Sequence, residues 1–200
     1  MVLMTAETLA TGARRLNARH AACGRLPPLV LLTDRARLPD PVAAVALLPR
    51  GSLVILRDGD LPAGARLALG LALASVCRRR GLRLLVAGDP TLARQLRAGV
   101  HWPEKRLPPR VRGFATAAAH GMAALIRARR AGVSAVLLSP VLPTASHPGA
   151  PHLGIVRFAG LVRRVPGLAV YALGGIDGTT VGRLAGSGAA GIAAIGAFRP

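Results

Sequence analysis

The chain has 200 residues, 52% hydrophobic and 18% charged, a composition that excludes disorder and suffices for one domain, 1–200, with a buried core. Its formal net charge is +19. Nearly all the basic residues are arginines spread along the chain, without a basic stripe or interleaved aromatic residues, so we expect no nucleic-acid partner. The sequence has no signal-peptide pattern and no apolar run long enough to span a bilayer, so we expect a cytoplasmic protein without a membrane partner.

Residues 1–24 are predicted to form a helical extension that packs against the domain or closes its bottom. Short apolar runs rich in Val, Ile and Leu then recur along the chain. Most are unbroken rather than alternating, which is typical of parallel strands buried on both faces. The predicted strands are 29–34, 53–56, 83–88, 99–102, 113–118, 135–140, 168–175 and 191–198.

Most stretches between these runs have helical spacing, a basic last turn and a glycine shortly before the next strand, as in "GARLALGLALASVCRRRG". This order indicates repeated βα units, and eight of them predict a single (β/α)8 TIM barrel. The rival is a doubly wound open sheet, but "LLTDRARLPDP" after the first strand lacks a dinucleotide fingerprint. We expect a trimmed barrel, with short or missing helices after the fourth and eighth strands.

Glycines end the last two predicted strands, in "VYALGG" and "GIAAIG". In barrels, the loops after the seventh and eighth strands often hold a phosphate through backbone N–H groups, and a Cβ would block that approach. Gly174, Gly175, Ile195 and Gly196 are therefore candidate phosphate-binding residues. Tight turns without a ligand explain the same glycines equally well.

Polar residues follow several other strands. Thr33 and Asp34 end the first, Arg57 the second and His101 the fourth, while His120 follows the fifth. In a barrel we expect all of them at the carboxyl-terminal face. No carboxylate precedes His120 in "ATAAAH", so we expect no acidic neighbour from its own segment.

The ordered set of motifs resembles the thiamine phosphate synthase and TenI family over roughly residues 29–198. It runs through "LLTD", "VILRD", "DPTLARQLRAGVHWPE", "AAAH", "GVSAVLLSPVLPTASHPG" and the glycine-rich segment "YALGGIDGTTVGRLAGSGAAGIAAIGAF". The resemblance implies a barrel related to thiamine biosynthesis, with a small-molecule thiazole phosphate as its partner. A homodimer is possible.

The departures from the family concern its synthase activity, which couples hydroxymethylpyrimidine diphosphate to a thiazole phosphate with Mg²⁺. Ala87 and Gly88 stand where the first metal motif has Asn and Asp, and Arg106 stands where the second has Asp. Without these carboxylates we expect no metal site and no cofactor; Mg²⁺ is expected only if the synthase alternative holds. Asp89 or Glu104 could substitute only if the loops rearrange.

This chain also has fewer residues than the family motif that could bind a diphosphate. Relative to the family motif "QLREK", Arg57 is kept, but Ile55 replaces Gln and Gly59 replaces Lys. His147 stands where the later motif has Lys. We expect Arg57 and His147 to contact substrate, with fewer charge-assisted bonds than in the synthase.

His120 matches the histidine of TenI-like members, which transfers a proton during thiazole tautomerisation. The resemblance therefore implies a tautomerase with His120 as general acid and base and with the Thr144 and Ser146 hydroxyls lining the substrate. The synthase itself is the alternative. A second alternative is a noncatalytic relative that only binds a phosphorylated ligand.

Overall fold

Eight parallel strands form a closed barrel in the computed structural model, which describes residues 2–20, 26–144 and 149–195. Each strand pairs with the next along the chain, and β8 closes on β1. The strands are β1 (Leu29–Leu32), β2 (Leu53–Leu56), β3 (Arg83–Ala87), β4 (Gly99–Trp102), β5 (Ala115–Ala119), β6 (Ala135–Leu138), β7 (Val170–Leu173) and β8 (Gly191–Ala194). The predicted (β/α)8 barrel is confirmed. The doubly wound open sheet is excluded, because the strands follow one another in chain order and the barrel is closed.

Six α-helices and two 3-10 helices are present in the described chain. They are α1 (Val2–Ala18), α2 (Pro41–Ala46), α3 (Ala63–Arg80), α4 (Pro90–Gln95), α5 (Met122–Ala131), α6 (Gly154–Arg163) and the 3-10 helices Glu104–Arg106 and Val181–Leu184. None of these helices is long and apolar enough to cross a membrane.

Asp-Pro pairs start two of the short helices. The side chains of Asp40 and Asp89 accept hydrogen bonds of 2.9 Å from the N–H groups of Ala43 and Leu92. The following proline occupies the first turn, where no N–H is needed, so this local sequence specifies where α2 and α4 begin.

Burial on both faces explains the unbroken apolar runs. Val30, Ile55 and Leu137 belong to the cluster of buried residues inside the barrel. Their chain neighbours, such as Val54 and Val136, pack in the cluster between the barrel and the helices. Because alternate residues enter two separate apolar layers, no polar face is left along most of each strand.

The barrel is trimmed after β4, as predicted, because only the 3-10 helix Glu104–Arg106 follows that strand. After β7 the sequence predicts a helix, and the structure has the shorter 3-10 helix Val181–Leu184. Thr180, just before it, donates to the carbonyl of Gly175 at 3.0 Å. The prediction for the segment after β8 concerns residues 196–200, which lie outside the described residues.

Helix α1 packs against β1, β8 and the 3-10 helix 181–184, on the outer side of the barrel. Leu9 and Ala13 are fully buried there. The buried Asn17 side chain donates 2.8 Å to the carbonyl oxygen of Ala190, directly before β8. The predicted helical extension therefore covers the strands at which the barrel closes.

Candidate functional site

The carboxyl ends of all eight strands open onto one mouth, because the strands are parallel and the barrel is closed. On β5, Thr116 lies inside the barrel and bonds to His101 of the neighbouring strand. Successive strand residues alternate between the inside and the outside, so the inward register of Thr116 continues through Ala118 to His120. This register places His120, directly after β5, at the rim of the mouth.

His120 lies beside Glu104, which follows the neighbouring strand β4. The Glu104 carboxylate accepts the backbone N–H of His120 at 3.1 Å, and its Oε2 lies 2.8 Å from Nδ1 of the ring. A carboxylate can only accept, so a neutral His120 carries its proton on Nδ1 and leaves Nε2 as the basic nitrogen. The His120 side chain is 60% exposed, so a ligand in the mouth has access to this residue.

Glu104 is held on its other side by Arg127 of α5, whose Nη2 donates 2.9 Å to Oε1. Partial burial raises the pKa of Glu104, but the hydrogen bonds and charges of His120 and Arg127 lower it by more. The net pKa of Glu104 therefore lies below its ordinary value. The carboxylate is therefore ionised at neutral pH. The sequence interpretation considered Glu104 only as a substitute metal ligand. It missed the contacts of Glu104 with His120 and Arg127, because the three residues lie in different segments of the chain.

His101 lies near the carboxyl end of β4, but its side chain is buried and does not open onto the mouth. It lies inside the barrel at 6% exposure, and its Nδ1 is 2.8 Å from the Thr116 hydroxyl. Burial lowers its pKa to about 4, with a further lowering from the charge of Arg57. His101 is thus a neutral residue of the interior, one position before β4 ends at Trp102.

Arg57 sits at the end of β2, as predicted, and its guanidinium forms an ion pair with Asp34 at the end of β1. Asp34 also pairs with Arg37 at 3.2 Å. The Arg57 side chain is 41% exposed, so Asp34 positions it while leaving it open to the mouth. Thr33 has a structural role: its hydroxyl contacts the buried carboxylate of Asp58 and accepts the N–H of Arg57 at 3.0 Å.

Gly174 and Gly175 follow β7 in the left-handed region, with φ of +98° and +67°. A Cβ on Gly175 would lie 2.4 Å from the carbonyl oxygen of Pro143, so packing alone requires glycine here. The Gly174 carbonyl accepts from Leu142 at 3.0 Å, while the N–H groups of both glycines meet no acceptor among the described residues. The turn therefore combines a packing requirement with two backbone donors available to an anion.

The remaining candidates fall into two groups. Thr144 lies beside Gly174, since its Cγ2 would be 3.4 Å from a Cβ there, and Ile195 directly follows β8. The structure thus brings Thr144 next to one half of the predicted phosphate site. The predictions for Ser146, His147 and Gly196 lie outside the described residues.

The residues at the metal positions do not fit Mg²⁺. Gly88 and Arg106 lie against each other where the resemblance implies two carboxylates. Asp89 and Glu104, the candidate substitutes, are engaged elsewhere: Asp89 caps α4 and pairs with Arg66 at 3.1 Å. No group of three or more His, Cys, Asp or Glu side chains that could hold a metal ion occurs within residues 2–20, 26–144 and 149–195.

Comparison with known proteins agrees with the barrel fold. A family described as thiamine monophosphate synthase matches residues 29–198. The chain belongs to this family. The match starts at β1 and runs through β8, so it covers the whole barrel.

Named relatives include a thiamine-phosphate synthase from Methylococcus capsulatus, 31% identical, with 76% of this chain and 72% of that protein covered. Another, from Roseiflexus castenholzii, is 32% identical, with 78% and 72% covered. Among solved structures, the thiamine phosphate pyrophosphorylase from Pyrococcus furiosus superposes with a TM-score of 0.73 at 24% identity, with 84% of each chain covered. That structure supports the barrel fold of this chain.

Proposed function

We propose that this protein binds a thiazole phosphate at the barrel mouth and couples it to hydroxymethylpyrimidine diphosphate, forming thiamine phosphate. The observation that carries the proposal is the family match across all eight strands. Relatives named thiamine-phosphate synthase favour this coupling reaction. The residues that depart from the family's metal motifs favour tautomerisation instead.

The two sides of the mouth suit two phosphorylated substrates. After β7, Gly174 and Gly175 present backbone donors, which suit the phosphate of the thiazole. After β2 and β4, Arg57 and Arg106 present guanidinium groups, which suit a diphosphate. In this arrangement the protein holds both substrates by their anionic ends, and the diphosphate leaves as the pyrimidine is transferred to the thiazole.

A direct test combines the purified protein with both substrates and follows thiamine phosphate by mass spectrometry. Reactions that lack one substrate control for contaminating product. We expect formation of thiamine phosphate in proportion to enzyme concentration. Tight binding of both substrates without any product would overturn the proposal.

Tautomerisation of a thiazole carboxylate phosphate is the second candidate, and the contact between His120 and Glu104 favours it specifically. Glu104 orients the ring and leaves Nε2 as a base, an arrangement suited to moving a proton at a bound thiazole. Proton exchange at the thiazole ring in deuterated water, followed by NMR, tests this activity. Binding of thiazole phosphate with neither reaction would identify a noncatalytic binding protein.

A further inference from the structure

The guanidinium of Arg106 occupies the space that a side chain at position 88 would need. Gly88 follows β3 with φ of +66°, and a Cβ built on it would lie 2.4 Å from Nη2 of Arg106. Pro103, which precedes the 3-10 helix carrying Arg106, would be 3.3 Å from the same Cβ. The bare backbone of Gly88 therefore makes room for the guanidinium of Arg106.

The charge of Arg106 is uncompensated within the described residues. Its guanidinium makes no hydrogen bond and no ion pair with them. The residue is exposed, in the segment that follows β4 at the mouth. After each of the first four strands, one carboxylate is in contact with another group. Asp34 contacts Arg57, Asp58 contacts Thr33, Asp89 contacts Arg66 and Glu104 contacts His120.

We propose that Arg106 binds the diphosphate directly and supplies the positive charge for which the family's synthase motif uses Mg²⁺. A metal at this position needs carboxylate ligands. The two positions that would provide them hold Gly88, which has no side chain, and Arg106, which is a cation. The guanidinium is charged at every physiological pH and matches phosphate oxygens with two parallel N–H donors. The anion site follows from the geometry of Gly88 and Arg106, while its assignment to a diphosphate rests on the proposed function.

Binding of inorganic pyrophosphate, measured by calorimetry in the presence of EDTA, tests the site without any catalytic step. We expect the wild-type protein to bind without metal. Arg106→Gln should weaken the binding by roughly ten- to a hundredfold, because hydrogen bonds between charged groups are lost. Arg129→Gln is the matched control, since it removes the same charge from the last turn of α5 and should leave the binding unchanged.

A second pair of variants leaves Arg106 unmutated and changes its neighbour. Gly88→Asp introduces a carboxylate next to the guanidinium, and Gly88→Asn introduces an amide of the same size. Asp and Asn both tolerate a positive φ better than most residues. If the charge of Arg106 binds the anion, Asp should weaken pyrophosphate binding much more than Asn, and a steric effect alone would weaken it equally in both.

The outcomes separate this inference from the proposed function. Binding that requires Mg²⁺, or that is equal in wild type and Arg106→Gln, overturns the role of Arg106. Coupling activity with such metal-dependent binding would support the proposed function and refute the inference. Metal-free binding that depends on Arg106, in a protein that forms no thiamine phosphate, would support the anion site and refute the coupling reaction.

Discussion

Nδ1 of His120 and Oε2 of Glu104 lie 2.8 Å apart, although 16 positions separate the two residues along the chain. Glu104 follows β4 and His120 follows β5, and these strands pair in the barrel. The expectation of no acidic neighbour, drawn from the segment "ATAAAH", holds along the chain but not in space. The pair gives the rim of the mouth an oriented imidazole with an ionised partner.

Acid should destabilise the protein through His101. Burial lowers the pKa of this histidine to about 4, below the ordinary value of 6.5 that the unfolded chain has. The unfolded state therefore binds more protons than the folded state between these values, so stability is full above pH 6.5 and falls as the pH drops toward 4. Between pH 7 and pH 5 we expect a loss of about 2 kcal/mol, measured by urea unfolding.

His101→Gln is the control for that pH dependence. The variant lacks a titrating group at this position, so its free energy of unfolding should change less between pH 7 and pH 5 than that of the wild type. An identical pH dependence in the two proteins would show that His101 is not the group responsible. The comparison uses differences with pH, so an overall loss of stability from the substitution does not affect it.

Gly175 should be needed for stability as well as for phosphate binding. Gly175→Ala places a Cβ at φ of +67° and 2.4 Å from the Pro143 carbonyl oxygen. Gly186→Ala is a matched control, because Gly186 has φ of +74° with nothing within 4 Å of its Cβ position. We expect Gly186→Ala to lose about 1–2 kcal/mol of unfolding free energy and Gly175→Ala to lose more.

Thermal and urea unfolding of both variants, with phosphate binding measured in parallel, check this prediction. Equal stabilities would mean that the loop at Pro143 yields to the new methyl group. Because of the clash, an effect of Gly175→Ala on phosphate binding cannot be separated from its effect on the fold.

Docking of α1 should depend on Asn17. Its buried side chain satisfies the carbonyl of Ala190, and Asn17→Ala leaves that oxygen without a donor. We expect a loss of roughly 1–3 kcal/mol in the free energy of unfolding. Arg15→Ala, on the exposed side of α1, should change it little. A loss no larger in Asn17→Ala than in Arg15→Ala would contradict the role assigned to this hydrogen bond.

The barrel could be predicted from the sequence because burial on both faces leaves unbroken apolar runs such as "LVLL" and "AVLL". Strand ends were less predictable. The run at 168–175 predicts a strand through Gly175, but β7 ends at Leu173, since the positive φ of Gly174 turns the chain. Helix α2 was not predicted at all, although the Asp40–Pro41 pair is a capping signal.

The contacts of the site were harder to predict, because they join loops that only the closed barrel brings together. Arg106 could be recognised as a departure from the family motif, but its position over Gly88 depends on the pairing of β3 with β4. The contact between Glu104 and His120 depends likewise on β4 and β5. Once the strand order is known, these neighbours follow from the loop positions.

Proton transfer by His120 is tested by His120→Asn. General acid and base catalysis contributes about 10²- to 10⁴-fold, so the variant should lower the rate of proton exchange at a bound thiazole by that factor. Its affinity for thiazole phosphate should change little, because the backbone donors of Gly174 and Gly175 lie after a different strand. Glu104→Gln keeps an acceptor for Nδ1 but removes the charge, so its rate should lie between those of the wild type and His120→Asn. NMR in deuterated water measures the exchange, and calorimetry measures the affinity. If the wild-type protein binds the ligand and catalyses no exchange, His120 has no role in proton transfer, and its contact with Glu104 only holds the loop after β4.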